Sequence, residues 1–293
     1  MSARIIVRLV GAGVLLVIAD LALTSWAVRS NVRALATGIP DTTSFMREAT
    51  ATGHPVRRRA YVPLERIAPG AACAVVLAED EEFFEKGTVS WRSQRALMQR
   101  MLHGDFSRGG SGISQQLARN LFMAPDRTPR RKMREYVIAY ELSHALSKVR
   151  LLELYLNVVE WGEGIWGIEA ASQHYFGVSA EALTSAQGVV LASFLPAPRR
   201  ELQYVVGPLA TRRQEAIAKK LWRSRLLSDN EHLETIERMR EWRAHVRVGR
   251  TAREGWMLAA ALMGPEPSSF TASLQHAGAL PLASSCNVRR RGF

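Results

Sequence analysis

A glycine turn followed by polar side chains is the first feature of this sequence that could carry chemistry. Residues 108–116 read Arg-Gly-Gly-Ser-Gly-Ile-Ser-Gln-Gln, and apolar residues recur at helical spacing at Ile113, Leu117 and Leu121. The pattern predicts a loop that runs into a helix N-terminus, where outward backbone N–H groups suit a phosphate or pyrophosphate. Most glycine–serine helix starts are only caps, so the turn alone leaves both interpretations open.

A carboxylate among cations is the second such feature. Steps of three and four residues place Glu135 on the same helical stripe as Ile138 and Leu142. Arg131 and Lys132 lie about one turn earlier. The common interpretation of such a group is a surface ion pair worth a few tenths of a kcal/mol. The alternative is a partly buried carboxylate that holds cations beside a cleft.

A run of four acids, residues 79–82, directly follows an apolar segment. Such runs usually form a solvated face of the protein. The first pair, Glu79 and Asp80, differs from the other two acids because it closes the apolar segment, where Glu79 is expected to be partly desolvated.

Helices must position these side chains, and a 3.6-residue period recurs along most of the chain. Alternating β-branched runs are almost absent, so the fold is predicted to be mainly α. Residues 160–167 interrupt the helical pattern with three glycines and two tryptophans. This composition predicts backbone conformations that only glycine tolerates, and flat apolar faces that line a groove.

The first thirty residues contain an apolar run, Val10–Val28, that is long enough to span a bilayer. Arg4 and Arg8 precede the run and favour a cytoplasmic N-terminus, although Arg29 and Arg33 follow it closely. The sequence therefore predicts a transmembrane helix that anchors the protein.

A cleaved signal peptide is the alternative interpretation of the same run. Residues 34–36 read Ala-Leu-Ala, a small-x-small cleavage pattern that would make Thr37 the mature N-terminus. The run is long for a signal peptide, which favours the uncleaved anchor. Asp20 lies inside the run, so it is expected to face a partner helix or an interface where it stays hydrated.

The composition supports a folded, membrane-associated protein. The chain has 293 residues, 47% of them hydrophobic, and a formal net charge of +12. Basic residues such as Arg57–Arg59 would be attracted to anionic headgroups, and the predicted anchor argues against nucleic acid as the partner. Cys73 lies in an apolar run and is expected to be simply buried, and no pairing with Cys286 is inferred. The seven histidines are scattered and form no transition-metal pattern.

Residues 70–228 resemble the family 51 glycosyltransferases that polymerise peptidoglycan, especially the monofunctional biosynthetic form. The resemblance rests on five blocks in the same order and with the same spacing. They are Glu79–Asp80 with Phe83; Gly109–Gln116 with Asn120–Phe122; Arg131–Lys132 with Glu135; Leu154–Asn157 with Gly162, Gly164, Gly167, Ala170–Ala171 and Tyr175–Gly177; and Leu191–Pro198.

The resemblance implies a lysozyme-like, mainly helical glycosyltransferase domain with a cleft, behind an N-terminal transmembrane helix. It implies an inverting reaction in which lipid II, an undecaprenyl-pyrophosphate-linked disaccharide-pentapeptide, is polymerised into β-1,4 glycan strands with release of undecaprenyl diphosphate. Glu79 matches the general base of the family.

The remaining site residues are also carried over from the resemblance. Arg119, Arg131 and Lys132 are expected to bind the leaving pyrophosphate, with Glu135 orienting them or holding a divalent cation such as Mg or Mn. Ser111, Gln115 and Gln116 are expected to contact sugar and phosphate. No protein metal site is predicted.

Several positions depart from the family pattern. The family's histidine and aspartate after the first block have no counterpart in Lys86–Ser90, although Gly87 can fill the glycine place. Gly112 stands where threonine is usual, and Arg119 where lysine is usual. A degenerate, non-catalytic protein that binds lipid II or cell-wall enzymes is therefore a second hypothesis. A lysozyme-type hydrolase is a third, which the basic cluster around Glu135 disfavours.

The chain is predicted to have four parts. Residues 1–30 form the cytoplasmic N-terminus and anchor, 31–70 a juxtamembrane linker, 71–248 the glycosyltransferase domain, and 249–293 a poorly ordered C-terminal extension. The protein is placed in the bacterial inner membrane as a single-pass protein with the catalytic domain on the periplasmic side. Its expected partners are lipid II, the growing glycan chain, the membrane, and other cell-wall synthesis or division proteins.

Overall fold

The computed structural model describes residues 3–85, 111–123, 128–264 and Cys286, and it confirms the mainly α fold. The sequence departures at 86–90, Gly109–Gly110 of the glycine turn, and the tail at 265–285 and 287–293 lie outside the described residues. Within the described residues the α-helices are α1 Ala3–Ala34, α2 Ser44–Ala51, α3 Pro69–Glu79, α4 Ile113–Phe122, α5 Pro129–Ala145, α6 Lys148–Val158, α7 Ile168–Tyr175, α8 Ser185–Phe194, α9 Leu202–Val205, α10 Pro208–Arg223, α11 Asp229–Arg247 and α12 Ala252–Met263.

A small three-stranded sheet packs beside these helices. Its strands are β1 Arg58–Arg59, β2 Glu160–Gly162 and β3 Ile165–Trp166, in the order β1-β3-β2. Strand β3 pairs parallel to β1 and antiparallel to β2. The chain turns between β2 and β3 at Gly164, and Gly167 ends β3; both have φ in the left-handed region, +74° and +87°. The glycine-specific backbone predicted for this segment is confirmed.

The two tryptophans of this segment correct a prediction. Trp161 and Trp166 are each 0% exposed, so they belong to the core and do not line a groove. The Trp161 indole N–H donates to the carbonyl of Leu156, which satisfies its polar edge inside the protein. Composition alone indicated flat apolar faces but could not indicate which side of the sheet they occupy.

Helix α3 is the centre of the core and ends at a candidate site residue. It begins at Pro69, a favourable first helical residue, and residues 70–77 are all buried. Helix α8 crosses it at close range, and a Cβ on Gly188 would lie 2.5 Å from the Cα of Ala71. A Thr184–Gln187 capping box starts α8. The close crossing therefore fixes the axis of the helix that carries Glu79.

Gly188→Ala is expected to destabilise the protein by about 1–3 kcal/mol, because backbone atoms of α3 would have to move to make room. Urea unfolding of the detergent-solubilised protein measures the change. Gly11→Ala is the matched control, since a Cβ there meets nothing within 4 Å. Equal stability of the Gly188 variant and the parent protein would show that the crossing is loose.

Helix α1 contains a segment, Val7–Ala34, that is long and apolar enough to cross a membrane. Its second half packs along α5. Asp20 accepts hydrogen bonds from Arg130, with N–O distances of 2.7 and 3.0 Å, and from Arg134. One turn further, Ser25 and Arg29 both donate to Glu141. The partner helix expected for Asp20 is thus α5 of the same chain.

Two predicted segments have more structure than expected. In the linker predicted at 31–70, α2 and β1 pack onto the domain, and Met46 and Ile67 are buried. The C-terminal extension was predicted to be poorly ordered from residue 249, but it contains α12. This helix begins with a Thr251–Glu254 capping box, and its Trp256 packs against Phe176. Both stretches are short and have polar flanks, so their helical pattern is weak in the sequence.

A disulfide bond joins Cys73, inside α3, to Cys286. Both residues are almost fully buried, with exposures of 0% and 1%. The expectation that Cys73 is simply buried is therefore incomplete, because Cys286 lies beside it and is covalently attached to it.

Candidate active site

Glu79 lies at the C-terminal end of α3, where the helix leaves the core. Its side chain is 12% exposed, and both carboxylate oxygens accept hydrogen bonds. Gln116 Nε2 donates to Oε2 over 2.7 Å, and the Arg213 guanidinium donates to Oε1. A carboxylate oxygen can accept more than one hydrogen bond, so Glu79 keeps acceptor capacity beyond these two contacts.

Gln116, on the first turns of α4, connects several groups of the site. Its amide N–H₂ also donates to the backbone carbonyl of Ser111, over 3.1 Å. Its amide oxygen accepts from the Tyr155 hydroxyl, over 2.9 Å. Burial, helped by the charge of Glu79, raises the pKa of Tyr155 well above its usual value. Tyr155 therefore remains a neutral donor that fixes the Gln116 amide with its N–H₂ toward Glu79.

Asp80 and Gly112 form a close contact at the start of α4. The Asp80 carboxylate accepts from the backbone N–H of Ile113, over 3.2 Å, and so caps the helix. A Cβ on Gly112 would lie well inside contact distance of that carboxylate. The Asp80 carboxylate thus occupies the space that a side chain at position 112 would need. This contact accounts for a glycine where the family usually has threonine.

The cation cluster lies on α5. Glu135 is fully buried, and its two oxygens accept from Arg131 Nη1, over 2.9 Å, and from Lys132 Nζ. Burial lowers the pKa of Lys132, an effect that the Glu135 carboxylate opposes. Lys132 also donates to the Ser111 hydroxyl over 2.6 Å. The surface ion-pair interpretation is wrong for this group, because Glu135 has no contact with solvent.

Ser111 joins the two halves of the site. Its carbonyl accepts from Gln116, which binds Glu79, and its hydroxyl accepts from Lys132, which binds Glu135. A continuous chain of hydrogen bonds therefore runs from the end of α3, through the start of α4, to α5. We call it the Glu79–Glu135 network.

An open groove of about 470 Å³ lies next to this network and is lined by Gln116, Arg119 and Asn120 from α4. The Arg119 guanidinium lies 5.9 Å from the centroid of the Phe45 ring, which supports it from α2. Arg119 therefore places a positive charge in the groove, beside the Gln116 amide that binds Glu79.

Gln115 differs from the other predicted site residues. Its side chain is buried at 5% exposure, and Oε1 has no hydrogen-bond partner among the described residues. Like Glu79, Ser111 and Lys132, it does not line the groove. The expected contact of Gln115 with substrate stays a prediction.

Arg213 is the site residue that the sequence analysis missed. It is carried by α10, which reads as a basic surface helix with several equivalent arginines and lysines. No local pattern distinguishes Arg213 from these neighbours, since its partner Glu79 lies 134 residues away.

Comparisons with known proteins show which family the chain resembles. A family model described as Transglycosylase matches residues 47–222. Similar curated proteins are named biosynthetic peptidoglycan transglycosylase. One from Janthinobacterium sp. (strain Marseille) is 43% identical over 166 residues, 55% of this chain and 72% of that protein. One from Azoarcus sp. (strain BH72) is 46% identical over 167 residues, with the same coverage. One from Chromobacterium violaceum is 37% identical over 188 residues, 62% of this chain and 82% of that protein.

Proposed function

Because this chain belongs to the transglycosylase family and is a peptidoglycan glycosyltransferase, we propose that it polymerises lipid II into β-1,4 glycan strands and releases undecaprenyl diphosphate. The observation that carries this proposal is the Glu79–Glu135 network. It connects Glu79, which is partly exposed to solvent, with a group of cations whose counter-charge, Glu135, is buried. An inverting displacement at a sugar diphosphate needs both a base and positive charge for the leaving group.

Glu79 is the proposed general base. It would take the proton from the 4-hydroxyl of the acceptor sugar as that oxygen attacks the anomeric carbon of the donor. Gln116 and Arg213 hold the carboxylate from two sides, so it loses little orientational freedom when the acceptor binds. Such positioning supports a single in-line displacement.

Arg119, Arg131 and Lys132 are the proposed partners of the departing pyrophosphate. Negative charge grows on the diphosphate as the glycosidic bond breaks, so preformed cations stabilise the transition state more than the ground state. Glu135 has both oxygens engaged by Arg131 and Lys132. Its proposed role is to orient these two side chains.

The hydrogen bonds that Glu135 already accepts also limit its capacity to hold the predicted divalent cation. The described residues contain no group of three or more side chains that could hold a metal ion, and the Glu135 oxygens already accept from cations. These residues do not fit a protein-held Mg or Mn ion, so no step is assigned to one.

The ion pairs of Glu135 also favour the transferase hypothesis over the hydrolase hypothesis. A glycoside hydrolase of this type uses two carboxyl groups beside the glycosidic bond, one of them as an acid. Glu135 is buried and paired with two cations, so it is not available as that acid. This supports the transferase.

The location that we propose is the bacterial inner membrane, with α1 as an uncleaved anchor and the domain on the periplasmic side. Two observations support it. Cleavage after Ala36 would remove Asp20 and Arg29, which bind α5. The Cys73–Cys286 disulfide is typical of an oxidising compartment such as the periplasm.

We expect protein taken from growing cells to contain no free thiol, because the chain has two cysteines and both are paired. Denatured protein treated with a polyethylene-glycol maleimide should gain mass tags only after reduction. Protease added to spheroplasts should digest the domain. Two tags without reductant would place the domain in the cytoplasm. A mature N-terminus at Thr37 would exclude the anchor.

The partners of this enzyme follow from the same proposal. Lipid II and the growing glycan are its substrates, and the membrane presents them. Contacts with other cell-wall synthesis or division proteins remain a prediction.

The direct test is incubation of the full-length, detergent-purified protein with labelled lipid II, followed by separation of polymer from monomer. Formation of polymer and of undecaprenyl diphosphate is the expected result. If lipid II binds and no polymer forms under any metal condition, the non-catalytic binder becomes the better hypothesis.

A further inference from the structure

A second cavity, of about 450 Å³, lies beside the groove that contains Gln116. Ala197, Pro198 and Arg200 line both spaces, so the turn after α8 separates two neighbouring openings on one surface. The far wall of the second cavity includes Arg253 at the start of α12, beyond the residues that the family model matches.

The charged groups of the second cavity are basic. Arg200 and Arg253 contribute guanidinium groups and His174 an imidazole, and no carboxylate lines the cavity among the described residues. Burial, together with nearby arginines, lowers the pKa of His174, which favours a neutral ring at pH 7. Two permanent positive charges without a counter-charge in the lining suit an anion.

Arg253 is held in place. One Nη2 hydrogen donates to the backbone carbonyl of Gln173, over 3.2 Å. The guanidinium lies directly over Gly177, which has φ +75°, in space that a Cβ would fill. A guanidinium has five N–H donors, so this arrangement fixes the group while most of its donors can serve a ligand.

The apolar part of the cavity is aromatic. The rings of Tyr175 and Phe194 meet edge to face with centroids 4.7 Å apart, and both line the cavity. A ligand that fits has carboxylates next to small apolar groups. A planar guanidinium pairs well with carboxylate, and the aromatic rings suit methyl groups.

We propose that this second cavity binds carboxylates of the stem peptide while the sugars of the same molecule occupy the neighbouring groove. The inference rests on the proposed function, because lipid II carries a peptide on its disaccharide. Arg253 is then a specificity-determining residue for the peptide and takes no part in the bond-forming step.

The test compares two substrates: lipid II with free stem-peptide carboxylates and lipid II with these carboxylates amidated. We expect the parent enzyme to prefer the free acid by about fivefold in kcat/KM, near the upper value for a water-exposed ion pair. Arg253→Gln should remove the preference, and rates with the amidated substrate should match those of the parent enzyme. Arg250→Gln is the matched control, since it loses the same charge nearby and does not line the cavity.

A second measurement is independent of turnover. Free stem pentapeptide is added to the full-length protein, and broadening of its methyl NMR signals reports binding. The proposal is supported if Arg253→Gln weakens binding of the pentapeptide and Arg250→Gln does not. Displacement of the pentapeptide by pyrophosphate would overturn it. A preference for the free acid that survives Arg253→Gln, or no peptide binding at all, would also overturn it. Absence of polymer from both substrates would instead contradict the proposed function.

Discussion

Glu79→Gln is expected to lower polymer formation by about a thousandfold while lipid II binding stays within a few fold. The amide cannot accept the acceptor's proton, and one of the two donors, Gln116 or Arg213, would face an N–H₂ group in place of an oxygen. Ground-state binding rests mainly on the cation cluster, so the loss should appear in kcat. Turnover of labelled lipid II and equilibrium binding measure the two quantities separately.

The control for this variant is Glu81→Gln, two residues further along the chain. Glu81 is exposed and pairs with Lys220 over 3.3 Å, so its substitution removes the same charge without touching the network. The control should keep nearly full activity. If Glu79→Gln and the parent protein polymerise at equal rates, Glu79 is not the base.

Glu135→Gln is expected to lower kcat/KM by about a hundredfold. The substitution replaces one oxygen with an N–H₂ group that faces Arg131 or Lys132, and it leaves their positive charge uncompensated in a buried site. The side chains should separate and lose the geometry that suits a diphosphate. Removing one partner of a buried pair also costs about 3 kcal/mol of stability, so the melting temperature should fall although the protein folds.

Glu141→Gln on the same helix provides the comparison. Glu141 pairs with Arg29 of α1 at the other end of α5, remote from the network. Its loss should reduce stability without a comparable loss of turnover. Weaker binding of undecaprenyl diphosphate by Glu135→Gln alone would identify the role in leaving-group binding. Near-normal polymerisation by this variant would reduce Glu135 to a structural residue.

The parts of the site that could be predicted from sequence are those set by local periodicity. The 3.6-residue pattern places Glu135 on a buried stripe one turn from Arg131 and Lys132, and these are its partners in the structure. The glycine turn before α4 likewise predicted the helix start that carries Gln116.

The parts that could not be predicted depend on contacts between distant segments. Arg213 meets Glu79 across 134 residues, and Asp20 meets Arg130 across 110. The disulfide joins residues 213 positions apart. Nothing near these residues in the sequence indicates which of many basic side chains, or whether either cysteine, finds a partner. Such pairs are decided by how the helices pack.

The docking of α1 on α5 has a consequence for how the enzyme sits in a bilayer. Exposed apolar side chains run from Ile5 to Ile18 and continue beyond Asp20 at Leu23 and Trp26, although Asp20 itself is bound to Arg130 and Arg134. The stretch from Ile5 to Ile18 is about 21 Å long at 1.5 Å per residue, against a hydrocarbon thickness of about 30 Å, so a membrane-spanning α1 would also need the turns that dock on α5. Such an anchor would draw the domain down against the headgroups. In that position α5, and the cations that it carries, would lie close to the membrane surface, where a lipid-linked diphosphate is found.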